Sequence, residues 1–442
     1  MERNIDFAEA RLLAALDQVD RVAESEFTFP DGPQALRLIA DKLKRHLAEI
    51  ASLRTEGIED GGIIAAECHR ALEAVDNVLP ILGLILRSTN IRNAFEIYGP
   101  IRHLAQTFIR SEHGSTVAPA LIWSSGWDYV PMTFRRIKYL PGFIIITIPS
   151  SEAANPLLVP LAGHELGHRV WTDEKLEPVS LDPIIMGAAE FVRTNYKQSK
   201  LNIPRAKRKT TELLGEYLKE NSRQIPSWNP MLLNATRQAE ELFCDLIGYF
   251  LFGESFLHAF AYLLSPRPPR ERRASYPAMR ARTGLLADAK EKFAIKISTA
   301  YTIPPNFAAL FVDEERELDF WTRVADHAAM AAGTRLIDSV IDFTSRANWQ
   351  ALPQLSTNQR EQIKQECFAW GVPAANAGSL GNILNAAWDA QLDKDFWADF
   401  QPMLLQDKGK RAEFKAAALR EIVLKSIEVF EYELIQKAHG LT

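Results

Sequence analysis

His164-Glu165-Leu166-Gly167-His168 places two imidazoles one helical turn apart, with a carboxylate directly after the first. At i and i+4 on a helix the two rings point the same way and can share one tetrahedral metal ion, and a Glu beside the first can hold and deprotonate a water molecule there. The chemistry this implies is addition of water to a carbonyl, most often that of a peptide bond. Such a site needs a third protein ligand. Ala239-Glu240-Glu241-Leu242-Phe243-Cys244-Asp245 offers one, because Glu241 and Asp245 share a helix face at i and i+4. Glu241 can ligate while Asp245 accepts the ring N–H of a ligating His and fixes its tautomer. Glu240 is the alternative ligand. Cys244 falls on a neighbouring face and reads as a buried structural thiol.

Two helices and a strand must carry these groups. Phe143 to Ile148 is a short β-branched run between Pro141-Gly142 and Pro149, and reads as a strand. Asn155-Pro156 resembles an N-cap and first helical residue, and Leu157, Leu158, Val159 and Leu161 lead into His164. Pro160 lacks a backbone donor and moves the expected helix start to about that residue. Arg237 to Phe252 is apolar enough for a buried helix, with Gly253 where a C-cap belongs. Two acidic groups inside such a helix need a reason to be there, and a cation is one.

With Glu241 and Asp245 downstream, the His164–His168 motif resembles the gluzincin class of zinc metallopeptidases. The metzincin alternative would need Gly and His three and six residues after His168, where Trp171 and Glu174 stand. The resemblance covers at most about residues 155–285. It implies one Zn²⁺ per chain held by His164, His168 and Glu241, with Glu165 as general base and Asp245 supporting a ligating His. The spacing of 73 positions between His168 and Glu241 (241 minus 168) departs from the simplest members and implies a helical insertion at about 180–228. Some members carry a His-Pro followed by an Arg after the Glu helix. Here the match is Ser275-Tyr276-Pro277 with Arg280 and Arg282, which puts Tyr276 or Arg280 in the role of hydrogen-bond donor to the oxyanion. In sites of this kind the edge of a small sheet pairs with extended substrate, and Ile144 to Ile148 is the candidate edge.

The 442-residue chain, 47% hydrophobic and 24% charged, is long enough for two or three domains with a sizeable core. Helical periodicity over Phe7 to Val22, Gly32 to Leu53 and Ile63 to Leu86 predicts a helical domain over 1–115. Ala120 to Trp123 and Tyr129 to Phe134 read as further strands within a catalytic domain over 116–285. Glu315 to Phe343, Thr357 to Trp370, Leu380 to Leu392 and Lys410 to His439 predict a helical domain over 286–442. The expected fold class is therefore mainly α with a small β-sheet (α+β), a zincin-like core flanked by helical N- and C-terminal regions.

Cys68, Cys244 and Cys367 are odd in number and far apart, which excludes a disulfide framework. No apolar run reaches the roughly 18 residues that span a bilayer and the start lacks a signal pattern, so a cytoplasmic enzyme acting on a protein or peptide, without a membrane partner, is expected. The net charge of −5 gives no general reason to bind nucleic acid. Two basic stretches, Lys197–Lys209 and Arg267–Arg273, are where such a partner would dock. The competing functional reading is a non-catalytic regulatory or interaction protein with a structural or vestigial metal site, acting through its helical flanks.

Overall fold

The computed structural model describes residues 2–58, 60–89, 95–108, 120–126, 133–136, 140, 143–265, 272–297, 300–311, 318–345, 355–396 and 408–440. The protein is mainly α with one small β-sheet. It divides into two compact units, one of residues 1–106 and 110–154, the other of residues 107–109 and 155–442.

The first unit is built on α1 (Glu2–Ala23), α2 (Asp31–Thr55) and α3 (Gly61–Arg87), which pack on one another, and on α4 (Phe95–Phe108). In α1, Ile5, Ala8, Leu12, Ala15, Val19 and Val22 recur at alternating three- and four-residue steps, and all are buried. Asp60 caps α3 by accepting from the Gly62 and Ile63 amides. The sheet comprises β1 (Ala120–Gly126), β2 (Thr133–Arg136) and β3 (Phe143–Pro149) in the order β1-β3-β2. β3 runs parallel to β1 and antiparallel to β2.

That order corrects the expectation for Ile144 to Ile148. Residues 144–147 pair with β1 on one side and β2 on the other, so β3 is the central strand and has no open edge along that stretch. The uninterrupted apolar run is what a strand buried on both faces requires. Pro141-Gly142 and Tyr129 to Met132 lie outside the described residues.

The second unit is organised around α9 (Trp228–Phe252). Before it come α5 (Leu161–Asp173), α6 (Leu176–Thr194), the short α7 (Tyr196–Ser199) and α8 (Thr211–Glu220). The helix expected over Arg237 to Phe252 begins earlier, at Trp228, because Pro230 sits in the first turn, where its missing N–H costs nothing. Gly253 follows with φ +58°, a conformation glycine adopts without strain, and the chain turns directly into α10 (Glu254–Leu264). Next come α11 (Met279–Lys296), α12 (Phe320–Ala331) and α13 (Gly333–Thr344). The single helix expected over Glu315 to Phe343 is thus two, broken at Ala332-Gly333, with residues 315–317 outside the described set.

Thr357 to Trp370 is helical throughout but passes from α to π at Ile363 and to 3₁₀ at Phe368. Leu380–Leu392 forms the expected helix, capped by Ser379, and Lys408–Ala438 forms the last. The Leu380–Leu392 helix braces the end of α9: Asn385 Nδ2 donates to the Phe252 carbonyl (2.7 Å) and its Oδ1 accepts from the Ser255 amide (2.8 Å). Trp388 Nε1 donates to the Leu157 carbonyl ahead of α5 (3.0 Å). Among the described residues no helix is long and apolar enough to cross a membrane.

Candidate metal centre

Asn155 caps a 3₁₀ turn at Pro156–Leu158, and α5 starts at Leu161, directly after Pro160. α5 lies antiparallel against α9, and three glycines set how closely. A Cβ on Gly163 would stand 2.9 Å from Gly248 Cα, and one on Gly167 would stand 2.7 Å from Cys244 Cα. No real side chain tolerates those distances, so the two backbones meet only because these positions are glycine. Glycine inside a helix costs about 1 kcal/mol against alanine. The compensation here is that short side chains on α9 reach the imidazoles of α5.

The rings of His164 and His168 have centroids 5.1 Å apart. His164 Nδ1 meets Asp245 Oδ1 at 2.9 Å, and His168 Nδ1 meets Glu240 Oε1 at 2.9 Å. Facing carboxylates, both Nδ1 atoms carry a proton, so in a neutral ring the Nε2 lone pair would be the position free for a ligand. Both Nε2 atoms face Glu241, at 3.4 Å from Oε2 for His164 and 3.8 Å from Oε1 for His168. Bonds of 2.0–2.2 Å to a tetrahedral ion put neighbouring ligand atoms about 3.3–3.6 Å apart. Each Nε2 thus stands near that distance from one oxygen of the Glu241 carboxylate, a different oxygen for each ring.

The charge balance points the same way. The charges of Glu241, Glu240, Asp245 and Glu165 are all felt at Cys244, beside the His pair, and Glu165 is 5% exposed. Burial opposes an imidazolium at His164, but hydrogen bonds and charge from Asp245 and Glu241 outweigh it and lift its pKa to about 10. Burial likewise opposes charge on Glu241, yet His164, then Arg282 and His168, hold its carboxyl below the ordinary value. The site therefore attracts a positive charge, which a proton or a metal ion can supply.

No protein-family model, curated protein or solved structure matches this chain. The assignment of its residues rests on their own geometry.

Sequence reasoning singled out Glu240 as an alternative ligand. The structure places it on His168 Nδ1, on the far side of the ring from Glu241. Arg280, named with Tyr276 as an oxyanion donor, is exposed on α11. The guanidinium that reaches the site belongs to Arg282, two residues on and buried, forking onto Asp245 with Nε to Oδ2 at 2.6 Å and Nη2 to Oδ1 at 2.7 Å. Burial disfavours charge on Asp245, and this guanidinium together with His164 more than offsets it, holding the carboxyl below its usual range. Tyr276, 45% exposed, precedes α11, and its hydroxyl is pushed up first by partial burial and then by the negative charge of Glu241.

Among the described residues, the one set of three donor residues whose atoms lie together includes Cys244. Cys244 Sγ and one ring nitrogen from each of His164 and His168 lie within 4.8 Å of one another. Burial, followed by the charges of Glu241, Glu240, Asp245 and Glu165, pushes the Cys244 thiol well above its usual pKa. A metal would need the thiolate there, so the raised pKa weighs against Cys244 as a ligand. All three cysteines are free thiols.

Of the basic stretches, Arg267 and Arg270 lie outside the described residues. Arg272 is bound to Asp326, and Arg208 stacks on Tyr196 with its guanidinium carbon 3.8 Å from the ring centre.

Proposed function

We propose that this chain is a zinc-dependent metallopeptidase that hydrolyses peptide bonds of a protein or peptide. The observation carrying the reading is the Glu241 carboxylate facing the Nε2 atoms of both His164 and His168, while each Nδ1 is engaged by a further carboxylate. His164, His168 and Glu241 would hold one Zn²⁺, which when bound acidifies water and polarises a carbonyl.

The rest of the chemistry belongs to the protein. Glu165 accepts a proton from the attacking water and passes it to the leaving amine; its low exposure keeps bulk water from competing for that proton. Asp245 and Glu240 hold the two imidazoles in the tautomer that turns Nε2 inward, and Arg282 keeps Asp245 ionised. Tyr276 is the group that can donate to the carbonyl oxygen as it gains charge.

The test is cleavage of a mixed pool of synthetic peptides, followed by mass spectrometry, with native protein and Glu165→Gln. New cleavage products with the native protein, absent with Glu165→Gln at equal zinc content, support the reading. Equal cleavage by both assigns the activity elsewhere, and no cleavage by either favours a protein that acts through its helices.

A further inference from the structure

Three polar residues outside the metal centre converge on the segment that carries Tyr276. Asp326, on α12, accepts a two-pronged ion pair from Arg272, with Nη1 to Oδ1 at 3.0 Å and Nη2 to Oδ2 at 2.7 Å. Arg272 Nη1 also donates to the carbonyl of Tyr276 itself (2.5 Å). Gln238, 1% exposed on α9, donates through Nε2 to the Ala274 carbonyl (2.7 Å) and to Asp326 Oδ1 (2.8 Å). Both Gln238 contacts are acceptors, so its amide orientation is fixed by the network.

The other end of the same segment is anchored by Arg282 on Asp245. Gln238 and Asp245 are seven residues apart on α9, two helical turns or roughly 10 Å, and Glu241 lies between them. The stretch from Arg272 to Arg282 is therefore fastened to α9 on both sides of the carboxylate that faces the His pair. Tyr276 sits between the two fastenings.

We propose that Asp326 is a positioning residue, which through Arg272 and Gln238 fixes the Tyr276 segment along α9 and so sets where the phenol stands beside the metal centre. The proposal rests on the peptidase reading for its functional meaning, but the ordering of Tyr276 by Asp326 is tested independently of it. A bidentate guanidinium–carboxylate pair that also binds backbone carbonyls is suited to this task, because it fixes direction as well as distance. The negative charge of Glu241 and Glu165 felt at the Tyr276 hydroxyl agrees with that placement.

The experiment uses the full chain labelled with 3-fluorotyrosine, with Tyr276→Phe identifying the Tyr276 resonance, before and after addition of zinc chloride, together with hydrogen exchange of residues 272–278. In Asp326→Ala the resonance should narrow and move toward the position of 3-fluorotyrosine in an unfolded peptide, and exchange in the segment should rise at least about tenfold. Zinc content should stay at the native level while the zinc-induced shift at Tyr276 is lost. Asp326→Asn, which keeps the shape but not the charge, should show the same changes in smaller measure and serves if the alanine variant does not fold. Unchanged resonance and exchange in both variants would overturn the proposal. So would a fall in zinc content as large as the change at Tyr276, since Asp326 would then support the whole site. If the native chain takes up no zinc, the peptidase reading fails, while the resonance position and exchange rates still decide whether Asp326 orders Tyr276.

Discussion

Two carboxylates in this protein, Asp31 buried and Glu241 partly buried, have opposite surroundings. Asp31, 1% exposed at the start of α2, accepts from the Tyr98 hydroxyl, from Arg102 Nε at 3.1 Å and from the Leu121 amide at 3.1 Å. Its charge is met by fixed donors on α4 and β1, so it acts as a structural tie. Glu241 faces the Nε2 atoms of His164 and His168 at 3.4 and 3.8 Å, and its charge is met by an imidazolium at His164 with the nearby Arg282 rather than by a set of fixed neutral donors. Burial of an acid is therefore a weak functional signal by itself. What separates the two is the supply of donors, complete at Asp31 and left to a cation at Glu241.

The largest effect expected is at the group beside that cation. Glu165→Gln should lower peptide turnover by about 10²–10⁴-fold with zinc retained, measured as initial rate and metal content on the same sample. Asp31→Ala should leave zinc content untouched and cost on the order of 2–3 kcal/mol in urea unfolding, because it strands the Leu121 amide and the Tyr98 hydroxyl. A zinc loss in that variant would remove the distinction between the two carboxylates. Asp245→Asn should weaken zinc binding by about 10–100-fold in competition with a chelator, since one amide oxygen must serve both His164 and Arg282 and the buried guanidinium loses its counter-charge. Glu240→Gln should do less, under about tenfold, because Glu240 is partly exposed and its amide oxygen can still accept from His168. Equal losses at Asp245 and Glu240 would mean that the buried guanidinium adds nothing to the hold on His164.

The sequence carried much of this where periodicity and local chemistry decide the outcome. His164 with His168, and Glu241 with Asp245, are each one helical turn apart, so their shared faces were legible once the two segments read as helices. Gly163 and Gly167 repeat at the same interval and mark the face of α5 that meets α9. Other features depend on packing that one sequence does not encode locally. Arg280 and Arg282 have equal claims by spacing, and only the way α11 packs turns Arg282 toward Asp245. The β-branched run of β3 reads alike whether the strand is central or at an edge. Asp326 contributes nothing to any motif, lying 54 positions from Arg272 and 88 from Gln238, and only the folded chain brings the three together.

The most direct test of the account is zinc content by elemental mass spectrometry on protein purified without added metal, for the native chain and Glu241→Ala. About one zinc per native chain, lost or strongly weakened in the variant, is the predicted result. A native chain that stays empty after gentle reconstitution, or a variant that holds zinc as well as the native chain, would contradict the assignment of Glu241 as the third ligand.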